Sequence, residues 1–222
     1  MSETSLDTKS KIIIAAATLF CEVGYEKTTL RMIGERVGIR HVSIFNHFSN
    51  KTEIGGQIIK NYFQGHHKQC YAISSMMDLK EDDEEYYRNI LFWALHYKIH
   101  EENEFFRKFY ISYFSEESTM LASSSHASSM NEFSFLRFTV PERRAFINRS
   151  LIMAIDSNLA SLIDISVIDY VQATELVLSR TNGLDVNLSK LPDEEEIRTF
   201  ASEYLPKHKI DILKDILLME YQ

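Results

Sequence analysis

Residues 13–54 read IIAAATLFCEVGYEKTTLRMIGERVGIRHVSIFNHFSNKTEI, and the placing of turn residues in this stretch decides the fold. Ile13, Ala16, Ala17 and Phe20 recur at helical spacing, and Gly24 follows them as a stop signal, so the pattern predicts a first helix from Thr8 to Val23. Thr28 and Thr29 offer capping oxygens to a second helix, Leu30 to Val37, with Leu30, Ile33 and Val37 on its apolar face. Gly38-Ile39 makes a tight turn. A third helix over about His41 to Phe48 then sets Ile44 and Phe48 inward and its alternate face outward. Three short helices joined by so few residues bury their apolar stripes only by crossing steeply, which is the helix-turn-helix arrangement.

Outside this stretch turn chemistry becomes scarce. The 222 residues hold seven glycines and three prolines, against an average of about 12% for the two together, and only Gly183 lies beyond the first third of the chain. A sandwich or barrel needs a turn every 8 to 12 residues or so, and long stretches here offer none. The composition therefore predicts an all-α protein, a short head with tight turns followed by a long helical body. At 45% hydrophobic and 25% charged residues the chain has the make-up of an ordinary globule. Residues 1–60 carry eight Lys and Arg against six acids, so the formal charge of -8 leaves -10 on the remaining 162. A slightly basic head on an acidic body fits a chain that meets nucleic acid with one small domain and keeps the rest away from it.

Further along, a fourth helix is expected from Asn50 or Lys51 to the mid-70s, softened by Gly55, Gly56 and Gly65. Asp78 with Glu81 signals the cap of a fifth, running to about His100. Phe106, Phe109, Tyr110, Tyr113 and Phe114 form a clean helical stripe. Ser118 to Ser129 contains SSSHASS and no periodicity, which reads as a loop or irregular helix. Thr139-x-x-Glu142 with Pro141 opens a helix carrying Ile152, Ile155, Leu159 and Leu162, and Ser166-x-x-Asp169 restarts another that ends near Asn182-Gly183. Two last helices are expected, Asp193 to Tyr204 and Lys207 to Tyr221. Cys21 and Cys70 sit in apolar helical contexts and read as small buried hydrophobes. The N-terminus lacks a signal-peptide core, and the longest apolar stretch, Ile12 to Cys21, falls far short of the roughly 20 residues that span a bilayer. A cytoplasmic protein with no membrane contact is the expectation.

The block 13–54 resembles the DNA-binding domain of the TetR family of bacterial regulators. The likeness rests on Ala16, Ala17, Leu19 and Phe20, Gly24-Tyr25, Thr28-Thr29, the Gly38-Ile39 turn, and Ser43-Ile44-Phe45-x-His47-Phe48-x-x-Lys51. The resemblance implies a DNA-binding domain over residues 1–50 and an effector-binding, dimerising body over 51–222. It implies that the third helix enters the major groove, with His41, Val42 and Ser43 reading base edges and Arg31 reaching the same groove. Thr29, His47 and Lys51 look like phosphate contacts, and Arg40 suits either role. Phe45 stands where the family usually has a tyrosine, so it offers packing without a phenolic hydrogen bond. Arg40 replaces a small capping residue, Val42 replaces glycine, proline or alanine, and Gly55-Gly56 replaces larger apolar residues and marks a hinge. These departures suggest an unusual operator.

Trp93, His96, Tyr97 and His100 share a face of the fifth helix, and with Phe109, Tyr110 and Tyr113 they are candidate walls of an effector cavity, although such stripes are more often core. His96 with His100, and His66 with Cys70, have metal-ligand spacing but too few partners for a site, so neither metal nor cofactor is expected. The expected function is a homodimeric repressor on a pseudo-palindromic double-stranded operator, released by a small-molecule effector. The seam is expected from Ile152, Ile155, Leu159, Leu162, Ile168, Val171 and Leu178. Two other readings stand beside it: a helical enzyme using His96, His100 and Glu101 or Glu104, which lacks any Gly-rich phosphate loop or Glu-x-x-His pair, and an effector-independent DNA-binding factor.

Overall fold

A computed structural model describes residues 6–78, 83–122, 140–184, 188 and 190–217. Every regular element among them is helical, as the scarcity of turn residues requires. Contacts group the chain into two units.

The first unit comprises Met1–Met77, Glu102–Phe109 and Pro206–Gln222. Its helix α1, Thr8–Glu22, starts where the Asp7 carboxylate accepts from the Ser10 N–H at 2.7 Å, a bond that also holds the Asp7 carboxyl below its ordinary value. Ile12, Ile13, Ala16 and Phe20 are buried along it. Helix α2, Leu30–Val37, is capped by Thr29 and closed by Gly38 at φ +78, which returns its N–H to Glu35 and Gly34. Only a residue without Cβ takes that left-handed corner cheaply. Helix α3 is one turn, His41–Ile44, shorter than the periodicity predicts. From Phe45 to His47 each N–H donates three residues back, so the chain tightens after Ile44 while still burying Phe48. Helix α4, Lys51–Ser74, begins at Asn50, whose side chain accepts from the Glu53 N–H while Glu53 accepts from Ser49. At 1.5 Å per residue α4 is about 36 Å long.

The last helix expected, Lys207 to Tyr221, does not form as such over 207–217, and 218–221 lie outside the described residues. The chain stays irregular to Asp211, because the Ile210 N–H donates to the Glu102 carboxylate at 3.0 Å instead of to a helical carbonyl. Six residues of π-helix follow, Ile212–Leu217. They bury Ile212, Ile216 and Leu217 and pack chiefly against α4. Gly65 permits this approach: a Cβ there would stand 3.0 Å from the Ile216 carbonyl carbon and closer still to its oxygen. Phe109 meets Phe20 and Tyr25 at 5.0 and 5.3 Å, and Phe106 meets Tyr62 at 4.7 Å, completing this core.

The second unit comprises Asp78–Glu101 and Tyr110–Leu205. It holds most of α5, Glu84–Glu102, the later part of α6, Glu104–Ala122, and α7, Val140–Asp164, α8, Tyr170–Thr181, and α9, Glu194–Tyr204. Of the cap expected for α5, Glu81 lies outside the described residues, as does Thr139 at α7. The serine-rich stretch divides: 118–122 continue α6, and 123–129 lie outside the described residues. Helix α8 is capped by Asp169 and not by Ser166. Asp169 accepts from the Gln172 N–H at 2.9 Å while the Gln172 side chain accepts from the Asp169 N–H, and that reciprocity decides between two residues of similar capping chemistry. Burial raises the Asp169 carboxyl, but the Gln172 N–H and Arg198 at 3.1 Å outweigh it and leave it below its ordinary value. Tyr87 stacks on Phe200 at 5.6 Å, and Tyr86 donates to Glu196 at 2.8 Å, fastening α5 to α9.

Burial pushes both free thiols, Cys21 and Cys70, up to about 12. At pH 8 roughly one thiol in ten thousand is then thiolate. Alkylation by iodoacetamide is expected to be slow in the native protein and complete in denaturant. Fast native labelling of either cysteine at pH 8 would contradict that burial.

Candidate nucleic-acid interface

The Gly38 corner sets α2 against α3 so closely that a Cβ on Gly34 would fall 2.9 Å from the Ile39 carbonyl oxygen and 3.2 Å from the His41 backbone. Over this crossing lies an open concavity lined by Arg31, Glu35, Gly38, Ile39, Arg40, His41 and Val42. Four of the residues singled out in the sequence thus come together around one hollow: Arg31, Arg40, His41 and Val42. Arg40 occupies the N-cap position of α3 with no side-chain cap, since a guanidinium has no acceptor to offer the helix N–H groups. Val42 is 50% exposed and Phe45 53%, which leaves apolar surface open on the head. Such surface suits contact with thymine methyls or sugar edges.

The remaining candidates sit elsewhere on the head. Thr29 spends its hydroxyl on the Met32 N–H at 3.2 Å, as an N-cap. Ser43 and His47 are half-buried on and just after α3. The Lys51 ammonium donates to the Tyr25 carbonyl at 2.9 Å and lies 4.2 Å over the Tyr25 ring, tying the start of α4 to the α1–α2 turn. An ammonium has three donors, so this bond leaves Lys51 able to reach a second acceptor while it stays on the carbonyl. Glu35 was not among the residues picked from the sequence. Its carboxylate takes the Arg31 Nε at 2.8 Å, and this partner raises the Arg31 guanidinium above its ordinary value. The spacing Arg31-x-x-x-Glu35, one helical turn, was the legible signal.

In the second unit Trp93, His96, Tyr97 and His100 do share a face, with neighbouring ring centroids 4.5 to 5.9 Å apart. Tyr110 joins them, 4.5 Å from His100 and 5.6 Å from His96. Phe109 does not: it packs with Phe20 and Tyr25 in the first unit. Tyr113 is buried beside Phe114. The residue that sequence reasoning missed is Asp156 of α7, 3% exposed, which accepts from the Tyr110 hydroxyl at 2.5 Å and from His96 Nε2 at 3.0 Å. An aspartate sixty residues from its histidine leaves no local pattern to find. Among the described residues no three His, Cys, Asp or Glu side chains gather as a metal site, and no helix is long and apolar enough to cross a membrane.

Of the residues expected at a seam, Leu159, Val171 and Leu178 are buried within the chain's own second unit, while Ile152, Ile155, Leu162 and Ile168 are half-buried. Leu151, Met153, Ile165 and Val167 are exposed on α7 and the turn after it.

Residues 12–56 match the family model described as bacterial regulatory proteins, tetR family. Over 103 residues the chain is 35% identical to the biofilm operon icaADBC HTH-type negative transcriptional regulator IcaR of Staphylococcus epidermidis, a stretch covering 46% of this chain and 51% of that protein. Over 55 residues it is 46% identical to the IcaR of Staphylococcus aureus, covering 25% of this chain and 30% of that one. The chain thus spans about half the length of the first of these relatives and less of the second. The matched segment is the segment in which Thr29, Gly34 and Gly38 build the α2–α3 crossing, so the likeness to the tetR family of bacterial regulatory proteins is a likeness of this helix-turn-helix head.

Proposed function

We propose that the chain is a transcriptional repressor which binds a pseudo-palindromic duplex operator as a homodimer and is released by a small molecule. The observation that carries this reading is the concavity of Arg31, Arg40, His41 and Val42, held over a helix crossing inside the family-matching segment. The relatives' role as negative regulators supports repression. In this reading residues 1–50 read DNA and 51–222 dimerise and receive the effector, with no catalysis, in the cytoplasm. His41, Val42 and Ser43 face base edges, Phe45 packs against the duplex, and Thr29, His47 and Lys51 hold phosphates. Two copies present their α3 turns about 34 to 36 Å apart, in successive major grooves. The half-buried Ile152, Ile155, Leu162 and Ile168, with exposed Leu151 and Met153 beside them, support a seam on α7 and the turn that follows it. Trp93, His96, Tyr97, His100, Tyr110 and Tyr113 are the effector candidates.

A second reading, regulation without a small molecule, draws support from Asp156, whose bonds from Tyr110 and His96 make the middle of the second unit a bonded core.

Selection from a randomised duplex pool, followed by footprinting, tests the DNA role: a two-fold-related consensus is expected, and no enrichment sinks the reading. Arg40→Ala is expected to weaken binding to all duplexes alike, and to reduce the slope of log affinity against log salt by about 1, as for one phosphate contact. A changed base preference with an unchanged slope would place Arg40 on a base edge instead.

A further inference from the structure

Arg31 and Glu35 stand one turn apart on α2, with their side chains 80% and 62% open to solvent. An ion pair so exposed contributes little to folding, so its place in the molecule is better sought in where it lies. Both residues line the concavity over α3, and Glu35 is the acid among its lining residues. A carboxylate at the mouth of a duplex-binding surface is a cost: it repels every phosphate backbone, whatever the sequence.

The geometry shows what offsets that cost. The bond joins Glu35 Oε1 to the Arg31 Nε, the guanidinium nitrogen nearest the chain. Guanine presents two acceptors on its major-groove edge, O6 and N7, and a guanidinium reaches both either through Nε with one terminal nitrogen or through its two terminal nitrogens. With Nε taken by Glu35, the second mode remains, with the fork aimed along the side chain's own axis.

We propose that Glu35 is a positioning residue that sets sequence specificity: it holds Arg31 by Nε so that the terminal fork meets guanine end-on, while its charge weakens binding to every duplex and leaves the guanine contact to restore it. The inference rests on the DNA-binding reading above. Arg31 makes the contact with the base, and Glu35 acts through it.

The test compares the unchanged full chain, Glu35→Gln, Arg31→Ala and the double variant, each against the randomised duplex pool and against the consensus duplex that the unchanged protein selects. Glu35→Gln keeps the shape and removes the charge, on an exposed position where folding is unaffected. It is expected to bind the unselected pool about tenfold more tightly while the consensus duplex gains much less, so the ratio of the two affinities falls about tenfold. Repeating the selection with Glu35→Gln is expected to relax the guanine preference at one position of each half-site. In the Arg31→Ala background the same change is expected to tighten both duplexes equally. A consensus that Glu35→Gln leaves intact, or an effect on the ratio that is the same with and without Arg31, overturns the inference alone. Failure of the unchanged protein to select any duplex overturns the DNA-binding reading and this inference with it.

Discussion

Asp156→Ala is expected to destabilise the second unit by about 2 to 6 kcal/mol, since two buried donors lose their acceptor and each such loss costs roughly 1 to 3 kcal/mol. Tyr110 and His96, both essentially inaccessible to water, point at this one carboxylate from α6 and α5, so the residue links three helices at once. Water does not replace the missing oxygens in a site this closed, which is why truncation costs more than the net worth of either bond. Asp156→Asn retains one carbonyl oxygen and is expected to lose less than half as much. Urea unfolding followed by circular dichroism reads the difference as a lowered midpoint at an unchanged slope. A loss below about 1 kcal/mol for the alanine variant would mean that the cluster is not the buried anchor described here.

Gly65→Ala carries the second large effect, and its sign is the informative part. In an exposed helix interior this exchange stabilises by about 1 kcal/mol, because alanine is the better helix former. At Gly65 the new methyl meets backbone, with the Ile216 carbonyl carbon 3.0 Å and its Cα 3.1 Å away. Backbone cannot turn aside as a side-chain end can. Overpacking of this kind costs about 1 to 3 kcal/mol and sometimes more. If the segment Ile212–Leu217 lifts away instead, Ile212, Ile216 and Leu217 lose their cover, at about 1.5 to 3 kcal/mol for each side chain fully exposed. Net of the helix-propensity gain, the first response costs up to about 2 kcal/mol and the second costs more, and the second also opens the segment after Pro206 to limited proteolysis. A gain in stability would show that α4 and the π-helical segment are not packed as described.

Much of the first unit was legible because its signals are local. Asp7, Thr29 and Asn50 cap their helices from the adjacent residue, and Gly38 turns the chain where its lack of a side chain says it should. The failures share a different cause. Lys207 to Tyr221 has a helical pattern, yet its course is set by Glu102, 108 residues away in the chain from the Ile210 amide it accepts. Ser166 and Asp169 both suit a cap, and the choice rests on whether Gln172 can answer in kind. Phe109 and Tyr110 are neighbours on one stripe, but one packs on Phe20 and the other bonds to Asp156. Periodicity says which face of a helix is buried and is silent on what covers it. The candidate interface residues follow the same division: the family resemblance of 13–54 implies that Arg31, His41 and Val42 share one groove, whereas the engagement of Lys51 with the Tyr25 carbonyl depends on a contact 26 residues apart.

The helix that carries the candidate base readers is a single turn, His41–Ile44. A turn alone does not persist in water, because fixing its backbone costs far more than one hydrogen bond returns, with a nucleation constant on the order of 0.001. Its order is borrowed from Ile44, wholly buried, and Phe48, 3% exposed. The amides from Ser43 to Phe48 are therefore expected to exchange with solvent deuterium only when the surrounding core opens, and to do so together. In the proposed reading, the entropy of shaping this surface is met during folding, so little of the affinity for a duplex is consumed in ordering it.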